Sequence, residues 1–157
     1  MPLTCTLEEY LDAQGVKYIT LRHSAAYTAQ ELAAMLHVVG RELAKTVIVK
    51  VDGQAAMVVL PASHRIDFQR LSAALGGKTV ELAAEWEFAH LFPNCELGAM
   101  PPFGNLFGLP VYVAHPLTED EEIVFNDGSF ALAVKMRYSD YARLAQPTIV
   151  EGTEPAR

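Results

Sequence analysis

Residues 47–60 read VIVKVDGQAAMVVL, two β-rich runs joined around Asp52-Gly53. β-Branched residues in short apolar runs suit a pleated, half-buried surface, and an Asp-Gly pair supplies the positive φ angles of a primed two-residue turn. The stretch is therefore predicted to be a β-hairpin, with Pro61 ending its second strand because proline cannot donate to a ladder. Side-chain alternation along the first strand puts Lys45, Val47 and Val49 on one face and Thr46, Ile48 and Lys50 on the other.

On the N-terminal side, Thr6 and Glu9 form a T-x-x-E capping box that opens a helix, with Leu7, Tyr10 and Leu11 as its apolar stripe and Gly15 as its stop. Residues 18–21 read as a short strand. A second capping box, Thr28 with Glu31, opens a helix over 29–36. On the C-terminal side, Asp67 caps a helix through Leu75, with Phe68, Leu71, Ala74 and Leu75 on one face, and Gly76-Gly77 closes it. A further helix is predicted over 83–91, where Trp86 and His90 fall four apart. Residues 92–108 hold three prolines and three glycines, too many for a regular element. Residues 111–114 read as a strand. A second hairpin joins 123–125 to 130–136 through Asn126-Asp127-Gly128, and Ser139 starts a last helix over 140–144. Residues 148–157, with Gly152 and Pro155 among charged residues, read as a frayed tail.

The element order is thus α-β-α-β-β-α-β-α-loop-β-β-β-α. Two hairpins and more strands than simple βαβ units would use predict an α+β fold, a single domain with a mixed, mostly antiparallel sheet packed by several helices. The domain is expected to span 1–147, with 148–157 as a C-terminal tail.

Bulk properties bound the function. A chain of 157 residues, 51% hydrophobic and 20% charged, fits one self-sufficient core. Its two cysteines, Cys5 and Cys95, form no C-x-x-C pair and are read as reduced, buried thiols. No secretory signal is visible, and the apolar runs fall well below the ~20 residues of a membrane helix. A cytoplasmic protein without membrane contact is expected. The net charge of −7 argues against coating of nucleic-acid backbones and against DNA binding, yet leaves room for a local basic patch. No heptad seam stands out, so a monomer is expected.

Common catalytic signatures are missing: no G-x-S-x-G elbow, no phosphate loop, no H-E-x-x-H and no G-x-G-x-x-G occurs. The five histidines, His23, His37, His64, His90 and His115, are scattered singly, so neither a metal nor another cofactor is expected. Two features remain. Lys45 shares a strand face with two valines at the strand's entry, where its ammonium either points into a cleft or snorkels to water. The stretch Gly98-Ala99-Met100-Pro101-Pro102-Phe103-Gly104 is a glycine-flanked, proline-stiffened loop. Backbone N–H groups in such a loop can hold a carbonyl oxygen or an oxyanion, unless the loop is merely a connection.

These residues carry a resemblance. Together with Thr28-Ala29-Gln30-Glu31-Leu32, Ala44-Lys45-Thr46, Leu60-Pro61-Ala62, Arg65-Ile66-Asp67, the G-x-x-x-P loop from Gly98 to Pro101, and Phe125-Asn126-Asp127-Gly128-Ser129, the sequence resembles the YbaK/prolyl-tRNA synthetase-associated (ProX-like) editing family. That family comprises free-standing relatives of the insertion domain of bacterial prolyl-tRNA synthetase. The match runs in order over nearly the whole chain.

The resemblance implies an aminoacyl-tRNA deacylase that acts in trans on a mischarged tRNA carrying a small amino acid, alanine, cysteine, serine or threonine. A synthetase is a possible partner. Editing is needed because a pocket discriminates by only ~1–3 kcal/mol per methylene. By the same resemblance Lys45 is the central catalytic lysine, holding the phosphate near the terminal adenosine, and the N–H groups around Gly98 and Ala99 polarise the ester carbonyl. A hydroxyl of the terminal ribose would help activate water, so no protein base is required. Thr28, Thr46, Met100 and Pro101 are placed at the substrate, as are Gly128, Ser129 and Phe130. His23 follows the first strand and either lines the pocket or lies at the surface. Two departures stand out: Phe130 occupies a turn position where several relatives have histidine, and Thr46 follows the lysine where relatives often have asparagine. The alternatives are a non-catalytic tRNA- or synthetase-binding module of the same fold, and a hydrolase of small esters or thioesters.

Overall fold

The computed structural model describes residues 6–22 and 43–156. The helix expected over 29–36 lies outside these residues, as do its capping box, His23, Thr28, His37 and Cys5.

The hairpin of residues 47–60 is the centre of the molecule. Strand β2 (Ala44–Val51) pairs antiparallel with β3 (Gln54–Pro61) from Ala44↔Pro61 to Val51↔Gln54. Asp52 and Gly53 both have positive φ, 49° and 82°, which is the backbone of a type I′ turn. Strand β5 (Val80–Leu82) adds to β2, and β6 (Val111–Ala114) adds parallel to β3. With β9 (Thr148–Val150) parallel to β6, these strands give the order β5-β2-β3-β6-β9. A second sheet has the order β1-β8-β7, formed by β1 (Tyr18–Arg22), β7 (Glu122–Asn126) and β8 (Leu132–Arg137). A bridge between Leu43 and Val124 joins it to the start of β2. The remaining pair is β4 (His64–Ile66) with β10 (Thr153–Pro155). Most of the pairings are antiparallel, as expected for the α+β fold.

Alternation on β2 and β3 separates two cores. Ala44, Ile48, Met57 and Val59 face a larger core closed by α1 (Leu7–Ala13), residues 92–109, the second sheet and α4 (Tyr138–Ala145). Val49, Val51, Val58 and Leu60 face a smaller one, covered by Leu71 of α2 (Phe68–Ala74) and by Val150. Each fully buried Val, Ile, Leu or Met side chain among these contributes roughly 1.5–3 kcal/mol. The helix starts follow local chemistry. Thr6 and Glu9 form the reciprocal capping box of α1, and the Asp67 carboxylate accepts the Arg70 N–H at 3.1 Å to cap α2.

Three expectations are corrected. The helix over 83–91 shrinks to α3 (Glu85–Phe88) followed by a 3-10 turn, Ala89–Leu91. The Ala83 N–H instead donates to the Ile48 carbonyl at 3.1 Å, so the chain is still sheet-bound there. The last helix starts at Tyr138, one residue before Ser139, because the Tyr138 N–H is taken by the Glu121 carbonyl at 2.9 Å. The segment expected to fray is held on both sides of Gly152 by β9 and β10. Gly152 is at φ +141°, and a Cβ there would lie 2.8 Å from Leu71 Cα, an approach that only glycine permits. Its carbonyl accepts the Asp67 N–H at 2.8 Å.

Candidate active site

The glycine–proline loop is fixed from several directions. Gly98 adopts φ +95°. The Thr46 hydroxyl donates to the Met100 carbonyl at 3.0 Å, and the buried Tyr141 hydroxyl donates to the Pro102 carbonyl at 2.7 Å. Phe103 is fully buried and meets the rings of Tyr10, Phe125 and Tyr141 edge-on at 6.1, 5.8 and 5.2 Å. Gly104 lies so close to β3 and β6 that a Cβ would meet Val111 Cγ2 at 3.0 Å and Met57 Cβ at 3.2 Å. Loop backbone held this firmly is preorganised, which suits a binding edge.

Within the loop, the Ala99 N–H donates to the Glu96 carbonyl at 3.0 Å, and Ala99 is fully buried. The Gly98 N–H points at the Met100 thioether sulfur at 3.2 Å. A thioether is a weak acceptor. Gly98 is therefore the donor that an incoming carbonyl oxygen could recruit at little cost, whereas the Ala99 N–H already has a strong acceptor.

The second hairpin's turn stands beside this loop. The Asp127 carboxylate accepts both the Ser129 N–H at 3.0 Å and the Ser129 hydroxyl at 2.9 Å. Ser129 Oγ in turn accepts the Ala131 N–H at 3.3 Å. These local bonds keep residues 127–131 out of the ladder, so β8 starts at Leu132 rather than at residue 130. The Glu96 carboxylate accepts the Phe130 N–H at 2.6 Å, and the Phe130 ring lies over Gly98, 3.2 Å from where a Cβ would stand.

Between α1, the loop and the turn lies a cavity of about 340 Å³, whose walls include Glu8, Cys95, Pro101, Asp127, Gly128 and Ser129. A pocket of this size suits a small side chain or a fragment of a larger ligand. Burial, then the neighbouring Asp127 charge, raises the Glu8 carboxyl from 4.5 to about 6. Burial, then Asp127, also pushes the Cys95 thiol up. A thiol held protonated is a poor nucleophile.

Lys45 enters β2 on the face opposite Thr46, paired with Leu60 and in line with Val47 and Val49, as alternation predicts. It is half-buried, and that burial lowers its pKa. His64 on β4 lies near enough that the lysine charge, after burial, pulls its pKa down. Its Nδ1 sits 3.1 Å from the Thr153 hydroxyl. A partly desolvated ammonium beside a neutral imidazole gains most from an arriving anion.

Of the residues singled out in the sequence, Pro101, Gly128 and Ser129 come together at the cavity, Gly98 and Phe130 touch, and Thr46 and Met100 are bonded to each other. Lys45 stands on the other face of the strand. Sequence reasoning missed Glu8, Cys95, Glu96, Asp127 and Tyr141. Asp127-x-Ser129 carries a readable signal, an Asx turn. Glu96 and Cys95 sit inside the loop already marked by its glycines and prolines, but nothing local marks Glu8 or Tyr141. Among the described residues, no group of three or more His, Cys, Asp or Glu could hold a metal ion, and no helix is long and apolar enough to cross a membrane.

Residues 23–144 match the model of the aminoacyl-tRNA editing domain. The multifunctional Ser/Thr-tRNA deacylase ProXp-y of Escherichia coli K12 is 30% identical over 146 residues, covering 89% of this chain and 86% of that protein. A proline–tRNA ligase of Staphylococcus saprophyticus is 37% identical over 75 residues, 48% of this chain but 12% of the ligase. A solved structure of a candidate trans-editing enzyme for prolyl-tRNA synthetase superposes with a TM-score of 0.79 at 20% identity, over 94% of each chain. A hypothetical protein of known structure gives a TM-score of 0.83 at 24% identity, over 94% of this chain and 99% of its own. At these identities the two structures speak for the fold alone. The family model and the relative aligned nearly end to end go further: the chain belongs to the aminoacyl-tRNA editing domain family.

Proposed function

We propose that the chain is a trans-editing deacylase that hydrolyses the ester of a mischarged tRNA bearing a small amino acid. The observation that carries this reading is the G-x-x-x-P loop, pinned by Thr46 and Tyr141 beside a small cavity, in a chain of the editing family. The Gly98 N–H leaves the Met100 sulfur and polarises the ester carbonyl. Ala99, whose own N–H holds the Glu96 carbonyl, keeps that donor in place. Pro101, Gly128 and Ser129 wall the amino-acid pocket, with Phe130 beside Gly98 and Met100 within the loop. Lys45 binds the phosphate of the terminal nucleotide, and Thr46 sets the loop. By resemblance Thr28 contributes to substrate binding, and His23, just after β1, either lines the pocket or lies at the surface. A terminal ribose hydroxyl helps activate the attacking water, so positioning and oxyanion stabilisation supply the rate. The protein works in the cytoplasm as a monomer and meets tRNA alone or beside a synthetase.

One observation favours a second reading, a non-catalytic tRNA-binding module: an apolar ring, Phe130, packs beside Gly98, where a Cβ would stand 3.2 Å from it. Deacylation of Ala-, Cys-, Ser- and Thr-tRNA, set against the matching free aminoacyl esters, separates the readings. Turnover of one or more charged tRNAs, well above the free esters, supports the deacylase. Equal turnover of ester and tRNA points to a small-ester hydrolase, and tight binding without turnover points to the module.

A further inference from the structure

Glu96 is bonded to both halves of the candidate site. Its N–H donates to the Gly128 carbonyl at 2.8 Å, and its own carbonyl accepts the Ala99 N–H at 3.0 Å. Its carboxylate accepts the Phe130 N–H at 2.6 Å. Glu96, 34 positions from Phe130 in the chain, thus ties the turn that carries Phe130 to the loop that carries Gly98. A hydrogen bond to an ionised acceptor is shorter and stronger than a neutral one, and 2.6 Å is at the short end. The effect of the tie is specific. Phe130 N–H is bound outside the β-ladder, and its ring is laid on Gly98, with Cζ 3.2 Å and Cε1 3.8 Å from the position of an added Cβ.

We propose that Glu96 is a positioning residue for substrate selection: its carboxylate holds the Phe130 ring over Gly98 and so sets the largest amino acid that reaches the loop. This rests on the reading of the chain as a deacylase whose Gly98 loop receives the ester. The side chain of Glu96 is exposed and contributes nothing to the core, so the carboxylate can be removed without unfolding the protein. Without it, the 127–131 turn keeps its Asp127–Ser129 bonds but loses its hold on the ring. Bulkier aminoacyl groups then enter.

The test compares kcat/KM for Ala-tRNA, Thr-tRNA and Leu-tRNA in the wild type, Glu96→Ala, Glu96→Gln, Phe130→Ala and the Glu96→Ala/Phe130→Ala double variant. Glu96→Ala is expected to raise the Leu-to-Ala ratio at least tenfold, with Tm nearly unchanged. Glu96→Gln keeps an acceptor oxygen and should stay within about threefold of the wild type. The double variant should show no more relaxation than Phe130→Ala alone, because both changes act through one ring. An unchanged ratio in Glu96→Ala, with activity intact, overturns the proposal, as does additive relaxation in the double variant. A wild type that deacylates no charged tRNA overturns the deacylase reading itself and removes the specificity role with it.

Discussion

Thr46 and Met100 are 54 positions apart in the chain, and the hydroxyl of one donates to the carbonyl of the other at 3.0 Å. That bond joins the central hairpin to the G-x-x-x-P loop. Thr46 lies on the larger-core face of β2, so its role follows from the same alternation that puts Lys45 on the opposite face. Two adjacent residues thereby serve two sides of one strand.

Replacing Thr46 with valine keeps the shape and removes the donor. The Met100 carbonyl then loses its partner in a nearly buried position, a cost of about 1–3 kcal/mol. A lower Tm is expected, with kcat/KM down by roughly tenfold or more as the loop loosens. Thr46→Ser should restore both. Thermal unfolding and deacylation rates measured on the same preparations check this.

Gly152 tests the integration of the C-terminal strands. Its φ of +141° and the 2.8 Å approach to Leu71 Cα leave no room for a side chain. Gly152→Ala should destabilise the protein by about 2–3 kcal/mol, within the range of backbone strain and overpacking. Urea unfolding reads the change directly. A urea midpoint indistinguishable from that of the wild type would mean that the backbone around Gly152 and Leu71 yields to a methyl group without cost.

The path from sequence to structure was clearest where local chemistry decides. Asp52-Gly53 between β-branched runs permits little other than a hairpin, and the Thr6–Glu9 box and the Asp67 cap mark helix starts on their own. It was least clear where a distant partner decides. Ala83 fits a helical pattern because nothing nearby in the sequence shows that its N–H goes to Ile48. Residues 148–155 look like a tail because the strand edges of β6 and β4 that receive them lie far away in sequence. The site divides in the same way. The loop was legible from its glycines and prolines, but Glu8 faces Asp127 only after α1 is docked, and Glu96 reaches Phe130 only after the second hairpin is in place.

Glu8 makes stability depend on pH. Its folded pKa of about 6 lies above the ordinary 4.5, so the folded state binds the proton more tightly than the unfolded chain does. Its contribution is fully present below about pH 4.5 and is lost as the pH rises through about 6, because deprotonation sets a half-buried charge beside Asp127. The full effect is about 1–2 kcal/mol, less whatever solvent screens. Glu8→Gln should therefore gain up to about 1 kcal/mol over the wild type at pH 7.5 and little at pH 4.5. Urea midpoints at several pH values between these limits would show whether the two curves diverge across that window.

The proposed function requires that this site hydrolyse aminoacyl-tRNA and that the Lys45 cation hold the substrate's phosphate. The most direct measurement is single-turnover deacylation of Ala-, Ser- and Thr-tRNA by the wild type and Lys45→Ala, with circular dichroism to show that both are folded. Hydrolysis of at least one of these by the wild type is expected, with a loss of roughly 100-fold or more in the variant, the scale expected when a preorganised charge contact is removed. A folded Lys45→Ala protein that deacylates as fast as the wild type would contradict the proposed function.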